Sequence, residues 1–302
     1  MGALSRVTVR VPAKVNLALK VGALGKDGFH PLETVFQAVD LYDEVTAEAA
    51  EAMSLSLSGE HTAGVPADAT NLAWRAAEAL AKHAGIDRKV KLSITKSIPV
   101  AGGMAGGSAD AAGALLACDA LWQLSTPRAE LLEIAAALGS DVPFSLVGGT
   151  EFGRGRGHQL TTVLSRGTYH WVFALSDVGL STPAVYREFD RLNPEAVEPE
   201  VHEELLAALA TGEAASVARW LTNDLQAAAV SLQPRLQRVL TAGKEAGALA
   251  ALVSGSGPTC AFLVKSPEHG IAVANELHAS GVELRTVAAS SPARGAHIVS
   301  AA

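Results

Sequence analysis

The segment Pro99-Val100-Ala101-Gly102-Gly103-Met104-Ala105-Gly106-Gly107-Ser108-Ala109-Asp110-Ala111-Ala112 sets four glycines and a serine between two patterned runs. Before it, Val90, Leu92 and Ile94 alternate with polar residues, as in a half-buried strand. After it, Ala111, Leu115, Cys118 and Trp122 recur at helical spacing. Glycine allows positive φ and lets a ligand approach the backbone. Such a loop, opening a helix, gathers free N–H groups at one point, and the helix dipole adds positive charge there. Phosphate is the natural ligand. No Gly-Lys-Ser/Thr follows the glycines, so this is not a Walker A loop. The spacing of a dinucleotide fingerprint and its ribose-binding acid are absent. So are the His-Arg-Asp and Asp-Phe-Gly of protein kinases.

The bulk properties bound the class. At 302 residues and 49% hydrophobic, the chain has room for two domains and a sizeable core, which excludes global disorder. A net charge of −7 without a basic run argues against nucleic-acid and anionic-membrane partners. Cys118 and Cys260 lie inside apolar patterns and read as buried residues of a reducing compartment, with no disulfide framework and no metal pair. No apolar run approaches the ~20 residues of a membrane helix. Residues 1–10 lack a signal-peptide stretch, so a cytoplasmic protein is expected.

Strands are expected at 7–21, 34–41, 54–58, 90–94, 169–175, 250–253, 260–264, 283–287 and 296–299. In the first, Val15, Leu17, Leu19 and Val21 share one face, and Lys14 and Asn16 the other. Helices are expected at 71–84 with Asn71 as N-cap, at 108–122, and at 128–138 with Gly139 as its stop. Further helices are expected from Thr182-Pro183, near 201–210, 214–221 and 234–246, and at about 268–279. The glycine-rich stretch 148–157 reads as a connection between halves. Strands and helices mix without strict βαβ alternation, so the class is α+β.

The arrangement Pro-x-x-Gly-Gly-x-x-Gly-Gly-Ser-x-Asp-Ala-Ala between strand and helix resembles the ATP loop of the GHMP kinases. Two further segments agree: Pro12-Ala13-Lys14-Val15-Asn16 resembles the family's first motif, and Ser254-Gly255-Ser256-Gly257-Pro258-Thr259-Cys260 its third. The resemblance implies two domains, 1–160 for ATP and catalysis and 161–302 for substrate. Mixed sheets would pack on helices, with a ferredoxin-like C-terminal half. It implies ATP as co-substrate, Mg²⁺, and a small-molecule alcohol as acceptor. Asp27-Gly28-Phe29-His30 and Gly139-Ser140-Asp141-Val142-Pro143-Phe144 are similar to those of members whose acceptor is a cytidine diphosphate sugar alcohol. Mevalonate-type and homoserine acceptors are the alternatives, and a non-catalytic sensor a further one.

The resemblance also assigns residues. Asp141 would be the general base, although an Asp before Val-Pro is also a good helix N-cap. Lys14 would hold Asp141 ionised and steady the phosphoryl group; alternatively it is a solvated strand lysine. The backbone from Pro99 to Ala109 would cradle the phosphates, and Ser108 would contact phosphate or Mg²⁺, cap the helix, or both. Asn71 and Lys96 would border the adenosine, or serve as helix cap and strand-end charge. Asn16 and Thr182 would contact the acceptor, with helix capping the alternative for Thr182. Phe29 and Tyr186 would stack on cytosine and His30 would read its edge, although Tyr186 also lies on the apolar stripe of its helix. Phe29 stands where the family more often has Tyr, which keeps the ring face and loses a hydroxyl. Ala101 and Ala105 replace family glycines and are expected at negative φ. Asn223-Asp224-Leu225-Gln226 has Gln where the family often has Glu, and receives no role.

Overall fold

The valine alternation at 7, 9 and 11 runs through Pro12 without a break, and β1 (Arg6–Val21) is one long strand. It pairs antiparallel with β2 (Leu32–Ala50), with register shifts at Pro12/Ala13 and Asn16/Ala18. Such irregularities re-aim side chains and often flank sites. The computed structural model describes residues 4–100, 102–176, 178–280 and 285–302. Ala101, and the first two residues of the strand expected at 283–287, lie outside them.

The first sheet runs β12-β1-β2-β4-β3, with β3 (Ser54–Gly59), β4 (Lys89–Lys96) and β12 (His297–Ala301). The hairpin of β5 (Thr150–Arg154) and β6 (Gln159–Thr162) adds to β2. This corrects the expectation of a plain connection at 148–157. Gly153 serves close packing: a methyl on it would come 2.8 Å from the Gly157 carbonyl oxygen and 2.9 Å from the Phe36 ring.

Helices α1 (Leu72–Ala84), α2 (Gly106–Trp122), α3 (Arg128–Leu138) and the short α4 (Val142–Val147) cover one face of this sheet. α2 is buried along most of its length, Leu115 and Cys118 fully so. Each such leucine contributes ~1.5–3 kcal/mol by leaving water. The helix can lie this close to the sheet because position 113 is glycine. A methyl there would meet Val45 Cγ2 at 2.7 Å and Val11 Cγ2 at 2.8 Å.

The second sheet is antiparallel, in the order β11-β7-β10-β9, from β7 (Tyr169–Leu175), β9 (Ala250–Val253), β10 (Cys260–Val264) and β11 (Arg285–Ser291). Between β7 and β9 lie α5 (Thr182–Leu192), α6 (Glu203–Thr211), α7 (Ala214–Ala218), the two-residue β8 (Thr222–Asn223), α8 (Gln226–Leu232) and α9 (Arg235–Glu245). Helix α10 (Pro267–Ala279) separates β10 from β11. Strand order 4-1-3-2 with helices after the first and third strands is ferredoxin-like. The α+β class and the mixed sheets follow the expectation. The chain does not keep its halves apart: β12 returns to β1, and β8 joins β1 in parallel. A buried polar relay also bridges the sheets. Trp171 Nε1 donates to Ser291 Oγ at 2.8 Å, and Ser291 Oγ to Gln37 Oε1 at 2.6 Å.

Candidate active site

Three loops distant in sequence meet at one point. The amide of Lys14 donates to the Met104 carbonyl at 3.2 Å, joining the first motif to the second. Ser254 Oγ donates to the Gly103 carbonyl at 3.0 Å, joining the second to the third. Gly103 has φ +74, and a methyl on it would lie 1.9 Å from the Ser254 carbonyl oxygen. Only glycine fits there. A methyl at Gly255 would approach Lys14 Nζ to 3.1 Å, so the third turn closes directly over the lysine.

Lys14 is not a solvated strand lysine. It is 5% exposed, and its Nζ donates to Asn16 Oδ1 at 2.5 Å. Asn16 Nδ2 donates in turn to Thr34 Oγ1 at 2.8 Å, which donates to the Ala18 carbonyl at 2.7 Å. The nearest carboxylate is Asp141, with Oδ2 3.8 Å from Nζ: an ion pair, too long for a hydrogen bond. Burial pulls the ammonium below its ordinary range, and the Asp141 charge only partly opposes this. Asp141 occupies the N-cap position of α4, but its side chain makes no capping bond. Its carboxylate is 31% exposed and faces Lys14 instead.

Helix α2 begins at Gly106, with Ala105 at the N-cap position and no side-chain cap. Ser108 therefore sits half-buried in the first turn and is not the cap. The first N–H groups of an α-helix have no intrahelical acceptor and point out of this end. Ala105 has φ 62, contrary to the expectation of negative φ. The left-handed conformation costs an alanine ~1 kcal/mol, accepted here to turn the loop into the helix.

Lys96 and Asn71 are occupied by the fold. Lys96 is 1% exposed beneath the loop, and its Nζ donates to Asp43 Oδ2, to Asp110 Oδ2 at 2.8 Å and to the Gly106 carbonyl at 3.4 Å. Asp43 Oδ1 accepts the amides of Ser97 at 2.6 Å and Ile98 at 2.9 Å. Burial works against the Lys96 charge, but Asp110 and Asp43 more than offset it and hold the ammonium above its ordinary range. The Lys96 side chain thus ties β2, β4 and α2 together instead of facing a nucleotide. Asn71 Oδ1 caps α1 by accepting the Ala73 amide at 2.8 Å, and its Nδ2 donates to the Pro66 carbonyl at 2.7 Å.

The acceptor candidates gather where the turn 25–30 meets α5. Phe29 is 49% exposed, and the Arg156 guanidinium lies 4.4 Å from its ring centroid. Tyr186 is half-buried; burial, and then the Asp141 charge, raise its phenol pKa. His30 departs from the expectation. Its ring stacks on Tyr186 at 5.0 Å, Nδ1 meets the Gly22 carbonyl at 2.8 Å, and Nε2 lies 3.5 Å from Asp190 Oδ1. The Gly22 carbonyl holds Nδ1 and Nε2 faces Asp190, so the protein sets the orientation of the ring. Thr182 Oγ1 pairs with Ser256 Oγ at 2.9 Å, and α5 is preceded by Ser181 at its N-cap, so Thr182 is not that cap. Asp43, Asp110 and Arg156 were not singled out from sequence. Asp110 carried a usable signal: a lone acid among alanines in the first turns of a buried helix.

Known proteins place this arrangement. The profile of the GHMP kinases N terminal domain matches residues 71–149, and that of the GHMP kinases C terminal matches 205–283. The chain is 56% identical to a 4-diphosphocytidyl-2-C-methyl-D-erythritol kinase of Mycolicibacterium smegmatis, over 98% of this chain and 93% of that one. It is 58% identical to the enzyme of that name from Streptomyces avermitilis, over 97% and 99%. A crystal structure of 4-(cytidine 5'-diphospho)-2C-methyl-D-erythritol kinase superimposes with a TM-score of 0.76 at 33% identity, covering 93% of this chain and 98% of that one. A homoserine kinase from Cytophaga hutchinsonii reaches the same TM-score of 0.76 at 19% identity, over 99% of both chains, and shares the fold. With the phosphate loop, the buried lysine and the facing aspartate on one side and full-length relatives on the other, the chain belongs to the GHMP kinase family and is a small-molecule kinase.

Proposed function

We propose that the chain transfers the γ-phosphoryl group of ATP to the 2-hydroxyl of 4-(cytidine 5'-diphospho)-2-C-methyl-D-erythritol, in the non-mevalonate route to isoprenoid precursors. The observation that carries the chemistry is the facing of Lys14 and Asp141, 3.8 Å apart, beside the start of α2. The choice of acceptor is supported by the identity of 56% and 58% to whole-length relatives, because fold likeness alone is equal for a homoserine kinase. Among the described residues no helix is long and apolar enough to cross a membrane, and we read the enzyme as cytoplasmic.

Phosphoryl transfer spreads charge over the γ-oxygens and leaves the protein mostly positioning and electrostatic work. In this reading the loop backbone from Pro99 to Ala109 and the α2 N-terminus hold the phosphates. Asp141 accepts the proton of the attacking hydroxyl. Lys14 pairs with Asp141 and compensates charge on the moving group, and Asn16 fixes the ammonium by accepting from it. Phe29 and Tyr186 offer ring faces to cytosine. Thr182 and Ser256 present hydroxyls near the acceptor diphosphate.

Mg²⁺ suits the Ser108 hydroxyl, a hard oxygen donor. Among the described residues no group of three or more His, Cys, Asp or Glu could hold a metal. Mg²⁺ would therefore rest on Ser108 and on ATP and water oxygens, and bound there it neutralises phosphate charge.

The test is ADP release by the purified protein with Mg-ATP and a panel of acceptors, with ³¹P NMR locating the new phosphate. Turnover with the cytidine diphosphate methylerythritol and a signal for a 2-phosphate are expected. Turnover with mevalonate or homoserine in its place would refute the acceptor assignment.

A further inference from the structure

The tetrapeptide Asn223-Asp224-Leu225-Gln226 makes a bond pattern that its sequence did not announce. Asn223 Nδ2 donates to two carbonyls of the third glycine turn and its strand, Val253 O and Gly255 O, both at 2.7 Å. Its Oδ1 accepts the Leu225 amide at 2.9 Å, which fixes the side chain's direction. Gln226 Oε1 accepts the Val253 amide at 2.9 Å. On the other side, Asp224 accepts from Lys20 Nζ and from the Val21 amide, each at 3.1 Å, and its own amide donates to Leu19 O at 2.9 Å. Thr222 and Asn223 pair in parallel with Ala18 and Leu19 of β1.

One short segment therefore grips the strand that carries Lys14 and Asn16 and, with its other hand, the turn that lies over them. Gly255 is the contact point: its carbonyl is held by Asn223, and a methyl on it would come within 3.1 Å of Lys14 Nζ. The turn also holds the Gly103 carbonyl through Ser254 Oγ. We propose that Asn223, backed by Asp224 and Gln226, is a positioning residue that sets the 254–257 turn against Lys14 and the phosphate loop. It acts on the transfer step without touching either substrate. Gln in place of Glu at 226 is explained as well, since the only atom used is a carbonyl-type oxygen accepting from Val253, which either residue supplies. The inference rests on the phosphoryl-transfer reading above.

Asn223→Asp keeps the shape and the bond from Leu225 but cannot donate to the two carbonyls. A misplaced centre loses rate more than affinity. We expect kcat to fall ~10- to 100-fold with both KM values within about threefold, counted per folded molecule. Gln226→Glu should keep kcat, and Gln226→Leu should lower it in the direction of Asn223→Asp. Folded Asn223→Asp with wild-type kcat would overturn the proposal, as would a loss explained entirely by the folded fraction. If Asn223→Asp does not fold, the Gln226 pair decides: equal kcat for Glu and Leu overturns it. Hydrogen exchange reads the clamp without turnover. The Ser254 and Gly257 amides, which donate to the Thr259 and Ser254 carbonyls, should exchange at least ~10-fold faster in Asn223→Asp while α2 is unchanged. Unchanged exchange overturns the clamp even if the wild type fails to phosphorylate the acceptor, a result that would count against the functional reading alone.

Discussion

Two buried lysines stand on either side of the phosphate loop, and they are compensated differently. Lys96 has two carboxylates against it, Asp43 and Asp110, and its charge is favoured despite burial. Lys14 has one carboxylate at 3.8 Å and an amide oxygen at 2.5 Å, and burial depresses its pKa. A buried charge that is fully paired serves architecture. One that is underpaired keeps electrostatic capacity for a group that arrives later, in the proposed reaction the transferring phosphoryl. The fold thus spends its second lysine holding the loop so that the first can act beside it.

The comparison breaks most visibly at Lys96. Lys96→Met would leave the buried Asp43 carboxylate, packed with the Asp110 carboxyl, without its cation, and removing one partner of such a group costs ~3–5 kcal/mol. Thermal or urea unfolding should show a loss of that size; a loss below about 1 kcal/mol would mean the triad is not the anchor described. Lys14→Met should behave oppositely. Its charge is buried at a cost, so the fold should keep its thermal midpoint, while kcat should fall ~10²–10³-fold, the scale for a lost preorganised charge. A variant that unfolds yet stays active per folded molecule would reverse the assignment.

A smaller effect sharpens the picture through pH. Burial and the Asp43 charge push the Asp110 carboxyl up to about 8 from its ordinary 3.8, in spite of Lys96. A carboxyl raised in the folded state must take up a proton on folding. Its contribution is therefore fullest below the ordinary carboxylate value and declines as pH rises through that window. Asp110→Asn should flatten the fall in thermal midpoint between pH 4 and 8 and gain about 1 kcal/mol at the alkaline end. An unchanged slope would place the titration elsewhere.

Much of this was legible in the sequence. The alternation around Lys14 and Asn16 located them together on one face of a buried strand, and the glycine-serine loop located the start of α2. The three motifs together carried the family resemblance, and with it the fold. What stayed hidden depends on pairs remote in sequence. Asp43 lies 53 residues from Lys96, and Asn223 lies 32 from the Gly255 carbonyl it holds. His30 read as a base reader because its turn is exposed beside Phe29, but the Gly22 carbonyl holds Nδ1 and Nε2 faces Asp190. Glycines at 148–157 suggested a linker, whereas Gly153 is a strand residue shaved to fit Phe36. Ala105 shows the converse, an ordinary residue in a left-handed turn that no propensity would assign.

In the proposed reaction Asp141, facing Lys14 at 3.8 Å, takes the acceptor's proton while the loop holds ATP independently. Asp141→Asn preserves the shape and removes the base. Calorimetry with Mg-ATP and single-turnover transfer to the cytidine diphosphate acceptor, on the same preparation, measure the two functions separately. ATP affinity should stay within about threefold of wild type, with transfer slowed by ~10²–10⁴-fold. Transfer at near the wild-type rate with ATP bound would contradict it.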